Sequence, residues 1–269
     1  MGLAIIIPNS DFSGSPLGKV TKKITTQEII SEYLTNVGAD DSNKGKLIRL
    51  YDSLDAIGVL ASIDIFPMLG NSLVNKLKGL KQAVYFDSLA IGANASNLDN
   101  GIAFDNSISV NSIAGKSKTI STAEGYYAFC RAKRTGTYQG SCLNAITYSN
   151  SVFTGIRSVD HSGTREFAFD SNNGSWISEE KISADNFCSV SACITNDKFK
   201  SYVNGVNNRV EEKPTPLKDI TITNIIGGCP QHPTTVVRTF GGVIEMFAQG
   251  VIPTDKVEGV DAIFRAYFE

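Results

Sequence analysis

Carboxylates that cleave a glycosidic bond work in pairs, and Glu245 is the residue best placed to belong to one. It lies in the run Gly242-Val243-Ile244-Glu245-Met246-Phe247-Ala248, whose alternation reads as a strand. Period two would aim residues 245 and 247 at the same sugar, with a nucleophile about 5 Å from its acid. Position 247 holds Phe, so Glu245 stands without a second carboxylate. The adjacent Glu179 and Glu180 would point to opposite faces of a strand, and Glu211-Glu212 reads as a charged loop before Pro214. No pair with hydrolytic geometry emerges, and the chain is expected not to be an enzyme.

Other reactive types are sparse. His161, in Asp160-His161-Ser162-Gly163, reads as a loop residue, because triads are assembled in space rather than from neighbouring letters. Cys229-Pro230-Gln231-His232 has zinc-ligand types but no second paired motif, so no metal is assigned to it. Calcium is the one cofactor left open: Asn94, Asn97, Asp99, Asn100, Asp105 and Asn106 cluster between strands and offer hard oxygens. Sugar contact would need an exposed aromatic ring with amide or guanidinium donors beside it. Trp176, just past the turn Asn172-Asn173-Gly174-Ser175, is the first candidate, with Tyr126, Tyr138 and Arg157 beside it.

The elements that must position these residues change character along the chain. Residues 1–22 read as an extended arm, broken by Pro8-Asn9-Ser10-Asp11 and Ser13-Gly14-Ser15-Pro16. Residues 23–80 begin with two helices. Thr25 or Thr26 caps the first, Ile29, Ile30, Tyr33, Leu34 and Val37 line one face, and Gly38 stops it. Leu47, Leu50, Tyr51, Leu54 and Ile57 make the stripe of the second, which ends at Gly58. Such a hairpin must pack its apolar faces on the following domain or on a neighbouring subunit. A mixed segment with Pro67, Gly70 and Gly79 follows.

From residue 81 to 269 the period falls to two. Short runs such as Gly125–Arg131, Arg165–Phe169, Phe187–Ile194 and Phe199–Val203 alternate with Gly, Asn, Asp and Ser, and about ten to twelve strands are expected. The fold class is mainly β, an antiparallel two-sheet sandwich. The tail Asp261–Phe268 fits either a last helix or a strand. Asn204-Gly205 can both take positive φ, which makes a two-residue type I′ turn.

Composition narrows the rest. With 269 residues and a net charge of −2, the chain lacks the basic footprint of a nucleic-acid binder. The apolar start Met1-Gly2-Leu3-Ala4-Ile5-Ile6-Ile7 is cut by Pro8, too short for a signal peptide or a membrane span. Five cysteines at irregular spacing suit a reducing compartment, with Cys188 and Cys193 serving as small apolar residues.

Three segments in order, Gly125–Arg131, the Tyr202-Val203-Asn204-Gly205 tip, and Phe240–Ala248 followed by Val251–Val257, resemble the concanavalin A-like, laminin-G-like jelly rolls. The front end resembles virion proteins of tailed phages and prophages of gut bacteria. It shares an Asp11-Phe12-Ser13 arm, the helix Lys46–Ile57 and Ile63-Asp64-Ile65-Phe66-Pro67, although no Trp follows Gly58. These resemblances imply a non-enzymatic virion structural or adhesive protein, in tail, fibre or head surface, acting as a homo-oligomer with other virion proteins and a cell-surface glycan. A free carbohydrate-binding module and a laminarinase-like glycoside hydrolase are the alternatives.

Overall fold

The computed structural model describes residues 24–81, 95–104, 113–120, 125–134, 141–142, 154–161, 164–171, 174–177, 186–195, 198–212, 220–226, 228–230, 237–239 and 241–269. The expected arm, Tyr138, Glu179, Glu180 and His232 lie outside them, as do Asn94, Asp105 and Asn106.

In chain order the elements are α1 (Thr26–Val37), α2 (Lys44–Ala56), β1 (Ile63–Phe66), α3 (Leu73–Lys76), β2 (Ala95–Asn97), β3 (Ile102–Phe104), β4 (Ile113–Ile120) and β5 (Tyr126–Arg134). Then come β6 (Ser141–Cys142), β7 (Thr154–His161), β8 (Thr164–Ser171), β9 (Gly174–Ile177), β10 (Cys188–Ile194), β11 (Lys198–Val203) and β12 (Val206–Glu212). The chain closes with β13 (Ile220–Ile226), β14 (Gly228–Pro230), β15 (Val237–Thr239), β16 (Gly242–Val251) and α4 (Val257–Phe268).

The molecule is mainly antiparallel β-sheet, as its alternation implies. Eight strands form one sheet in the order β12-β11-β10-β5-β16-β3-β2, with β1 also paired to β16. β3 pairs with the first residues of β16, and β1 with the last, so two short strands share one long edge. A four-stranded sheet, β6-β7-β8-β9, and two ribbons, β4-β13 and β14-β15, make up the other strands.

The Asn204-Gly205 hairpin takes the expected form. Both residues have positive φ, 49° and 82°, and Val203 pairs with Val206 across the two-residue turn. Asn204 also fastens the turn to the next strand: its N–H donates to the Ser189 carbonyl, and its Oδ1 accepts from the Ser189 N–H at 2.9 Å. Tyr202 and Val203 divide between the two faces, Tyr202 joining the helix-side core.

α1 begins with a reciprocal cap, Thr25 Oγ1 accepting from the Glu28 N–H while Glu28 accepts from the Thr25 N–H. It ends at Gly38 in the left-handed region. The ambiguous tail is helical, because α4 turns Val257, Val260, Phe264 and Tyr267 to one side, all buried. That face packs with Ile30, Tyr33, Leu34 and Val37 of α1 and Leu47, Leu50 and Leu54 of α2 over Tyr127, Phe129, Tyr202, Met246 and Ala248 of the large sheet. Phe264 lies parallel to Phe129 with ring centroids 4.5 Å apart.

Helices and strands therefore share one core, and the apolar faces of the helical hairpin are covered within the chain. The opposite face of the sheet is buried as well, with Tyr126, Ala128, Phe66 and Phe247 excluded from solvent. Sequence reading missed β1, which lies in the segment expected to be a mixed connector. Glu211 and Glu212, expected in a loop, are strand residues of β12 paired with Phe199 and Lys198. His161 likewise ends β7 opposite Thr164, and Cys229 and Pro230 belong to β14.

Candidate functional site

Glu245 sits at a β-bulge. Ile244 pairs with Ala132 and Met246 with Arg131, the register shifting between them and leaving Glu245 as the extra residue. The bulge breaks the period-two expectation for residues 245 and 247. Met246 and Ala248 face the helices, whereas Phe247 is on the opposite face, stacked on Phe66 at 5.0 Å. Even a carboxylate at 247 would not share a sugar with Glu245.

The freed carboxylate turns to Arg131 on β5, whose Nε donates to Glu245 Oε2 at 3.3 Å. The guanidinium makes further contacts. Nη1 donates to Ser189 Oγ at 3.1 Å, and the group lies 4.6 Å from the Phe268 ring centroid and 5.5 Å from that of Phe187. Burial pushes the Glu245 carboxyl above its ordinary value, and Arg131 opposes that shift. Tyr267 beside it is pushed up too, by burial and then by the Glu245 charge.

Glu245 and Tyr267 line a pocket of about 150 Å³ at the seam between the helices and the sheet. Asn43 and Lys46 at the start of α2 form one wall, Pro67 and Leu69 after β1 another, and Asn100 and Phe268 complete it. The Asn43 amide donates across the rim to Asn100 Oδ1 at 3.5 Å. Residues from five separated stretches of chain meet here.

The turn that presents Asn100 is held by a buried lysine. Lys76 on α3 is wholly inside, and its ammonium donates to the Met68 and Asp99 carbonyls at 3.1 Å each. The Gly101 N–H donates to the same Met68 carbonyl at 3.3 Å. Burial lowers the Lys76 pKa, with Asp99 opposing. Of the oxygens suggested for calcium, Asn97 donates its amide to the Asn71 carbonyl and Asn100 meets Asn43. Among the described residues no group of three or more His, Cys, Asp or Glu converges on a metal position.

Of the expected sugar-contact residues, Tyr138 lies outside the described ones, and Tyr126, Trp176 and Arg157 lie on β5, β9 and β7. Tyr126 is fully buried and offers no ring to solvent, which corrects its assignment. Its strand face, turned away from the helices, is closed to solvent. Trp176 pairs with Phe169, which pairs with Ile156, while Arg157 pairs with Ala168. The signal that could have found the pocket was faint: a lone Glu in an aromatic strand, with Arg131 at the end of another.

No family model matches the chain, and no curated protein sequence matches it. Among solved structures it is similar to a mutant of Trypanosoma rangeli sialidase displaying trans-sialidase activity, with 9% identity and a TM-score of 0.55 over 89% of this chain and 39% of that one. The same sialidase with the inhibitor DANA aligns at 13% identity and a TM-score of 0.51 over 74% of this chain and 32% of the other. The Ruminococcus gnavus IT-sialidase CBM40 bound to alpha2,3 sialyllactose gives 16% identity and a TM-score of 0.44, over 60% and 96%. The chain spans well under half the length of the T. rangeli sialidase chains it matches. What it shares with the sialidase chains is a fold, built mainly of antiparallel β-sheet.

Proposed function

We propose that the chain is a non-catalytic, lectin-like carbohydrate-binding module. The observation that carries this reading is the bulged Glu245, held by Arg131 in a polar pocket with no second carboxylate lining it among the described residues. Glycoside cleavage by paired carboxylates has no counterpart there, while recognition by amides, a carboxylate and ring edges does. The sandwich shared with part of a sialidase chain supports the sugar class. A glycan array with the purified chain tests it, alongside hydrolysis assays on the glycans that bind. Binding without turnover is expected; turnover, or an empty array, overturns it.

A virion setting, with a homo-oligomer displayed on a phage particle, is the finer reading that the front-end resemblance supports. The helical hairpin lends it nothing further, because its apolar faces are already covered by α4 and the sheet. Detection of the chain in purified particles by mass spectrometry tests that setting, and a chain absent from particles and monomeric by mass photometry would end it.

A further inference from the structure

We propose that the pocket at the helix–sheet seam is the subsite that holds the terminal sugar ring, an inference that rests on the carbohydrate-binding reading. At about 150 Å³ the pocket is smaller than the roughly 300–1,000 Å³ of a typical ligand cleft, which favours a single ring over an oligosaccharide. The lining matches one hydroxylated ring. Asn43 and Asn100 offer amides, joined to each other only by a long 3.5 Å contact. Lys46 makes no hydrogen bond or ion pair among the described residues, so its ammonium is free to donate.

Glu245 presents a carboxylate fixed from behind by Arg131, which can accept from adjacent hydroxyls. Pro67, Leu69 and Phe268 supply the apolar side that the C–H face of a sugar requires. The position follows from the fold. The helices cover one face of the large sheet and the other face is buried, so the seam is where polar side chains from both layers meet solvent.

Saturation-transfer NMR with free D-glucose, D-galactose, D-mannose and N-acetyl-D-glucosamine tests this directly. At least one of the four should receive saturation from the wild-type chain. Asn100→Trp, at an exposed rim position, should abolish it by filling the pocket. Asn100→Ala should weaken it about fivefold, the loss of one neutral hydrogen bond. Both variants should keep the wild-type melting temperature. A glycan-array signal that Asn100→Trp leaves unchanged would overturn the pocket while sparing the carbohydrate-binding reading. No signal from any sugar or array glycan would overturn both.

Discussion

Asp261→Ala is the perturbation that most directly tests whether the helical layer is locked to the sheet. Asp261 lies on α4 and is 1% exposed. Its Oδ1 accepts from Ser191 Oγ at 2.7 Å, and its Oδ2 accepts from Arg265 Nε at 2.8 Å. Ser191 Oγ is in turn 3.2 Å from the Tyr127 hydroxyl, so one carboxylate joins α4 to β10 and β5. Breaking a buried ion pair from one side costs about 3–5 kcal/mol, because the partner charge is left uncompensated. Arg265 is 29% exposed and regains some water, which brings the expectation to about 2–4 kcal/mol.

Asp261→Asn keeps the size and one acceptor for Ser191 but loses the charge, and should cost about 1–2 kcal/mol. Urea unfolding of both variants, read as a shift in midpoint at constant slope, measures these values. A cycle with Arg265→Ala should return a coupling of at least about 0.5 kcal/mol. Asp261→Ala within about 0.5 kcal/mol of wild type would refute the argument, since the carboxylate would then not fasten the helix.

Three other outcomes follow from the same geometry. Gly205→Ala should destabilise by about 1–3 kcal/mol in thermal unfolding, since φ is +82° and the new methyl would meet the Arg265 guanidinium. Phe264→Ala removes a fully buried ring stacked on Phe129, and should cost about 3–5 kcal/mol by chemical denaturation. Glu245 has a folded pKa raised above its unfolded value, so its stabilising contribution is complete below the ordinary glutamate value and lost as pH rises through the folded pKa. Glu245→Gln should flatten that loss, whereas Arg131→Met should deepen it by leaving the carboxylate buried without its cation. Unfolding free energies measured across the acid-to-neutral range distinguish the two.

The sequence by itself determined the features that depend on near neighbours. The cap at Thr25 and Glu28, the stop at Gly38 and the Asn204-Gly205 turn all appear where local chemistry places them, because each is closed by residues within a few positions. The short aromatic and apolar runs of β5, β10 and β11, separated by turn formers, likewise announced the strands of the sheet.

What tertiary structure decided was whatever depends on pairing between distant segments. The bulge at Glu245 exists only because β16 must satisfy β5 on one side and both β3 and β1 on the other, and no local pattern encodes that register. The Arg131–Glu245 pair spans 114 residues. The tail became a helix because Phe264 found Phe129 and Tyr127 to cover, and Tyr126 is buried because both faces of its strand are closed to solvent. Composition places aromatics on a strand without saying which face the rest of the chain will close.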